Sequence, residues 1–280
     1  MEPTQEITKA LINLNSKVLE KVYDDTLSPA AKKVGLALET ALGLGNTVLL
    51  PIKLLNEKTH LLFKRHMDTF AQNLESIPED KLIQAPPEIA VPILDKLTYT
   101  QNEDLAELYI NLLTSASCEL TMHKAHIAFV NIISNLTPDE IKIMNFIHEI
   151  GRLPTMTTKI FDTAGEELIV KKERMTGMEI SKNLIFKDNL VVYFNNLNGL
   201  GMLEHHFDSD SETFMYDEVF KVHESFVRKW TKDFLEIDER QSKDDSLYSD
   251  NIYQIRTEKG YFNLTQYGYK FLEACSSADS

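Results

Sequence analysis

Glu119, His123 and His126 follow one another at intervals of four and three, the spacing that puts side chains on one face of a helix. A carboxylate and two imidazoles so placed could hold a metal ion. There is no fourth ligand and no H-E-x-x-H frame, and a capping or surface histidine pair explains the spacing as well. Pro138-Asp139-Glu140-Ile141-Lys142 carries the acids and lysine of a restriction-type nuclease, in which carboxylates bind a divalent ion and lysine steadies the attacked phosphate. Such sites spread their acids over separate strands, whereas this string reads as a helix start: Thr137 as N-cap, proline first, then acids at the positive end of the dipole. Asp208, Asp210 and Glu212 could collect a cation but lack the longer, glycine-centred pattern of a calcium loop. Gly43-Leu44-Gly45 and Gly199-Leu200-Gly201 lack the third glycine and the strand-before-helix setting of a phosphate loop. No catalytic residue, cofactor or small-molecule substrate is assigned, and the chain reads as non-enzymatic.

The elements that must position any site change in character along the chain. Ile7, Leu11, Leu14, Val18 and Val22 mark an amphipathic helix, and Ser28-Pro29 opens a second, with serine as cap and proline at the first helical position. No charge falls between Glu39 and Lys53, and Gly43 and Gly45 would let another backbone come close. The uncharged run is shorter than the roughly 20 residues of a membrane span, so core packing is its first role and membrane contact its second. Leu42, Leu44, Val48, Leu49 and Leu50 would make that membrane or partner contact. Pro51 breaks the helix, which then runs to about Glu75.

Thr100-Gln101-Asn102-Glu103 has the form of a capping box. Leu105, Leu108, Tyr109, Leu112, Leu113 and Ala116 repeat at helical spacing after it, and Phe129, Ile132, Ile133 and Leu136 repeat again after a polar break. This is a helical hairpin with a buried seam. Pro86-Pro87-Glu88-Ile89-Ala90 before the hairpin and His126-Ile127-Ala128-Phe129-Val130 within it resemble the core of the bacterial abortive-infection alpha family. Ile127 stands where that pattern has a proline, a departure that alters one helix start and nothing chemical. The resemblance covers mainly Tyr23 to Leu136, with weaker support at Leu264–Cys275. It implies a role in defence against phage and supplies no mechanism.

From Thr137 on, the pattern is mixed. A helix to about Ile150 stops at Gly151; a turn at Leu153-Pro154 and an extended or irregular stretch follow, then a helix from about Leu190 to Leu197. A helix that leaves through Leu200-Gly201-Met202 into a strand is how a winged helix enters its wing. Ile252–Arg256 and Tyr261–Leu264 are expected to pair across a turn at Glu258-Lys259-Gly260, before a last helix. Val219, Phe220, Val222, Phe226, Val227, Trp230 and Phe234 suit an amphipathic helix in an acidic insert of about 204–250. If the module bound DNA, Lys182, Lys187, Asn195 and Asn196 would supply the contacts.

The expected fold is mainly α: a helical domain over 1–136, then a winged-helix-like α+β domain over 137–280. A formal net charge of −14 argues against non-specific affinity for nucleic acid. Cys118 and Cys275 lie in stretches that read as helical and are expected reduced and buried. The start, MEPTQEITKA, lacks the basic and apolar regions of a secretory signal, so a cytoplasmic protein is expected, with peripheral contact at the inner membrane as the variant. The first function expected is an abortive-infection protein that senses a phage product through its C-terminal domain and acts through its N-terminal helices. A winged-helix transcription regulator is the alternative. The expected partner is a protein or phage component, and a homo-oligomer is left open.

Overall fold

The computed structural model describes residues 29–43, 57–161, 167–180, 183–207 and 254–276. Within these the protein is mainly helical, with one small antiparallel sheet toward the C-terminus. The chain divides into two compact units, Met1–Pro138 with Lys270–Ser280, and Asp139–Tyr269. The division falls two residues after the sequence boundary and returns the last residues to the first unit.

The first unit contains α1 (Pro29–Gly43), α2 (Glu57–Glu75), α3 (Pro87–Leu97), α4 (Glu103–Ala116) and α5 (Ile127–Ser134). In α2 the residues Phe63, His66, Met67, Phe70, Ala71 and Leu74 recur three and four apart and are all buried. Helix α1 buries Val34, Ala37, Leu38 and Ala41 and packs on α2 and α3. Its Lys33 Nζ donates to the carbonyl oxygens of Leu74 at 2.9 Å, Glu75 at 3.2 Å and Ile77 at 2.7 Å. The first two are carbonyls at the end of α2 and the third lies just past it, and a cation there also opposes the negative end of the dipole.

Helix α4 starts where expected, but its cap is Asn102, whose Oδ1 accepts from Leu105 N at 3.0 Å; Thr100 instead donates to Lys96 O and finishes the preceding turn. Helix α4 ends at Ala116, earlier than the sequence suggests. Ser117 Oγ donates to Leu113 O, and Cys118 leaves the helix to form a β-bridge with Leu82. Ile83 N donates to Ser117 O and Glu119 N to Lys81 O, so segments 81–83 and 117–119 run side by side, tied by an ion pair of Lys81 and Glu119 at 2.9 Å. Both cysteines are free and buried, Cys118 at this bridge rather than in a helix.

The tail completes this unit. Phe271 meets Phe129 edge-on with centroids 5.4 Å apart. Asn111 Nδ2 donates to Cys275 O at 3.0 Å and Ser115 Oγ to Ala274 O at 2.8 Å, so side chains of α4 satisfy the last carbonyls of the final helix.

The second unit takes α6 (Pro138–Ile150), β1 (Leu153–Phe161), β2 (Glu167–Met175), short 3₁₀ turns at Met178–Ile180 and Lys187–Asn189, α7 (Leu190–Gly199), β3 (Leu203–Phe207) and β4 (Gln254–Leu264). Helix α8 (Gln266–Cys275) begins in it. As expected, α6 stops at Gly151, whose φ of 79° is open to glycine and whose N–H bonds Ile147 O. The sheet order is β2-β1-β4-β3, all antiparallel.

The expected turn at Glu258-Lys259-Gly260 is not there: β4 is one continuous strand, and those residues pair with Thr157, Met156 and Thr155 of β1. Glycine serves a different need at this place. A Cβ on Gly260 would stand 2.6 Å from His206 O and 2.8 Å from His205 Nε2, so a bare α-carbon is what lets β3 and its imidazole come close.

Candidate functional site

The surface with the most chemistry to explain is built around the start of α6. Asp139 and Glu140, expected at the positive end of the helix dipole, are buried, 2 % and 1 % exposed. Asp139 Oδ1 accepts from Ile185 N at 2.9 Å, and Oδ2 accepts from Phe186 N at 2.9 Å and from Tyr193 OH at 3.3 Å. Burial pushes this carboxyl's pKa up, but the two backbone N–H groups, the tyrosine and nearby Lys142 outweigh it and leave the group below its ordinary value. Glu140 Oε1 accepts from Asn196 Nδ2 at 2.7 Å. One carboxylate therefore fixes the chain entering α7 and the other fixes α7 itself.

Held this way, α7 buries Leu190, Tyr193, Phe194 and Leu197. The opposite side and the preceding loop carry Ile185, Phe186, Val191 and Val192, exposed to 60, 62, 58 and 63 %. Four large apolar side chains thus lie exposed together on a short stretch that two buried carboxylates immobilise. A sequence signal was available: Val191-Val192-Tyr193-Phe194 are four consecutive large apolar residues, and a helix with one buried face cannot cover all of them.

The sequence-derived candidates distribute as follows. Of the DNA-contact residues, Asn195 is exposed on α7, Lys187 is half-buried beside Asp188, and Asn196 is engaged with Glu140. Lys182 lies outside the described residues, as do Asp208, Asp210 and Glu212, the 219–234 stripe, and Leu44, Val48, Leu49 and Leu50; Leu42 is in α1, with its side chain not described. Among the described residues no helix is long and apolar enough to cross a membrane.

The one-face arrangement of Glu119, His123 and His126 does not form, because residues 117–126 are bridge, turns and extended chain. Glu119 pairs with Lys81, and His126 caps α5 by accepting Ala128 N on Nδ1 at 3.1 Å. Among the described residues no group of three or more His, Cys, Asp or Glu could hold a metal ion.

A family model described as abortive infection alpha matches residues 56–275 of the chain. No curated protein and no solved structure matches it. With a match over most of its length, the chain belongs to the abortive infection alpha family.

Proposed function

We propose that this chain is a non-enzymatic abortive-infection protein that recognises a phage protein through the apolar face of α7 and its entry loop, and acts on the host through the helices of its first unit. Membership of the family supports the defence role. The observation that carries the recognition step is the set Ile185, Phe186, Val191 and Val192, left exposed on an element pinned from below by Asp139 and Glu140. For the host step, the uncharged run after Glu39 is the candidate for membrane contact.

The test is phage plating on bacteria that express the protein, with survival of infected cells counted in the same cultures. The intact chain lowers plating while infected cells die, and Phe186→Asp with Val192→Asp restores plating from a folded protein. Unchanged plating with the intact chain across a broad phage panel overturns the reading. Lys at Leu44 and Leu49 of a folded variant removes protection if the membrane is the target; intact protection rules membrane contact out.

A transcription regulator is favoured by one observation, the connectivity of the second unit. The order α6, β1, α7, β3 and β4, with β4 between β1 and β3, supports a winged-helix reading in which β2 would be an added outer strand and short 3₁₀ turns would stand where the second helix is expected. In that fold α7 would lie in the major groove. Among the described residues, the outward Val191 and Val192 and a Lys187 beside Asp188 give it little with which to neutralise phosphate. Sequence-specific, salt-sensitive retention of duplex DNA supports the regulator, and equal weak binding to all duplexes counts against it.

A further inference from the structure

A second cluster of polar groups lies on the sheet of the second unit, apart from the α7 surface. Directly paired residues of an antiparallel sheet share a face, so Leu153, Phe262 and His205 stand together, as do Thr155, Gly260 and Phe207 two residues along on the same side. Helix α7 covers one end of this face, where Phe194 stacks on Phe262 with centroids 4.5 Å apart. Two basic side chains reach over the rest from opposite edges of the sheet. From β3 the His205 imidazole crosses β4 in the space that Gly260 leaves, and its Nε2 lies 2.9 Å from Thr155 Oγ1 on β1. From β2 the Arg174 guanidinium lies 5.9 Å from the centre of the Phe262 ring, which His205 meets at 4.9 Å.

Arg174 is held in an uncommon state. Its φ of 55° is in the left-handed region, which a residue with a Cβ adopts when its surroundings impose it, and its N–H donates to Thr157 Oγ1 at 3.0 Å. Among the described residues no carboxylate lies within ion-pair distance of its guanidinium, although the chain has 43 acids against 29 lysines and arginines. Its companion is a second basic group. Burial, then the charges of Arg174 and His206, lower His205 to about 4, so at neutral pH the imidazole is uncharged and Arg174 is the one cation of the pair. A half-buried guanidinium with an aromatic ring under it and, among the described residues, no carboxylate at ion-pair distance is a group poised for an anion. Phe207, at the end of β3 and edge-on to His205 at 5.3 Å, offers an exposed flat surface on the same face.

We propose that Arg174 and His205 bind the phosphate of a small nucleotide, with Phe207 as the surface on which its base stacks. The planar guanidinium takes two phosphate oxygens at once, the anion draws a proton onto His205, and the hydroxyl side of the strand stays anchored through Thr155 and Thr157. This site stands independently of the phage-protein reading of α7.

The experiment is isothermal titration calorimetry on the full chain with adenosine monophosphate and with inorganic phosphate at constant ionic strength, potassium chloride serving as control. The nucleotide binds more tightly than phosphate, and Arg174→Gln weakens both by roughly tenfold or more, the loss of a bidentate charged contact. Phe207→Ser removes the preference for the nucleotide and leaves phosphate binding. In NMR titrations the His205 imidazole takes up its proton at higher pH when ligand is present. If Arg174→Gln does not fold, Arg174→Gly takes its place, since glycine suits the left-handed backbone. Heat from neither ligand, or equal affinity in the Arg174 variant, overturns the site; phosphate binding without a preference for the nucleotide overturns the role of Phe207.

Discussion

Asp139 shows how one buried side chain sets an external surface. Its carboxylate serves two consecutive backbone N–H groups, those of Ile185 and Phe186, with both oxygens on Ile185 N and Oδ2 also on Phe186 N and Tyr193 OH. Asp139→Asn keeps the shape, aims an amide donor at a donor, and is expected to cost the second unit about 2–3 kcal/mol. Hydrogen exchange checks it, with the Ile185 and Phe186 amides losing protection first. His205 gives a prediction of opposite chemistry. Its folded pKa, about 4, lies below the ordinary 6.5, and that of His66, desolvated while its Nδ1 donates to Leu97 O, is lowered too. The unfolded chain therefore takes up protons that the folded one refuses: stability is full above pH 6.5 and falls as pH drops toward 4. With solvent screening part of the ring, His205 should account for about 1 kcal/mol between pH 6.5 and 5. Urea unfolding at both pH values reads this, and His205→Gln should flatten the difference. The carboxylates held low, Asp139, Glu204 and Glu273, act below this window.

At the scale of elements, Lys33 closes the end of α2 from another helix, and Lys33→Met should lower the melting temperature at a cost of about 1–2 kcal/mol, since it strips three carbonyl oxygens of a charged donor. A control at exposed Lys32 should do nothing measurable. The helices themselves were legible because their evidence is local. The apolar stripes of α4 and α5, the proline entries of α1 and α6, and the glycine after α6 lie within a few residues of what they control. The misreadings share another cause. Gly260 suits a turn, but its neighbours are fixed by pairing with β1, a hundred residues away in sequence, and by an imidazole from β3. Glu119, His123 and His126 have helical spacing, but the helix ends at Ala116, because Cys118 and Glu119 find extended partners at Leu82 and Lys81. In both places long-range pairing overrides a local pattern.

At the scale of the molecule, the return of the tail to the first unit was written only faintly in the sequence. The family resemblance at Leu264–Cys275 marked the segment without saying where it goes. In the structure Phe271, Leu272, Ala274 and Cys275 are buried, and Asn111 and Ser115 of α4 spend their donors on its carbonyls. A fragment of Met1–Pro138 should therefore be a poor domain. It removes Phe271 from the ring of Phe129, and the Cys275 carbonyl from the amide of Asn111, which is buried in the intact chain. Losing a buried aromatic contact and stranding one polar group costs about 3–5 kcal/mol, a large part of the stability of a domain this size. Thiol labelling separates this expectation from a fragment that folds by itself. Cys275 is fully buried and burial pushes its thiol pKa far up, so the intact chain should label slowly there. Cys118, buried at the Leu82 bridge, should label slowly in the intact chain and quickly in the fragment. A peptide of residues 265–276 with Cys275→Ser, added to the fragment, should slow Cys118 again, and a peptide that also carries Phe271→Ala should not. If Cys118 is as protected in the fragment as in the whole chain, the tail is an ornament of the first unit and not part of its core.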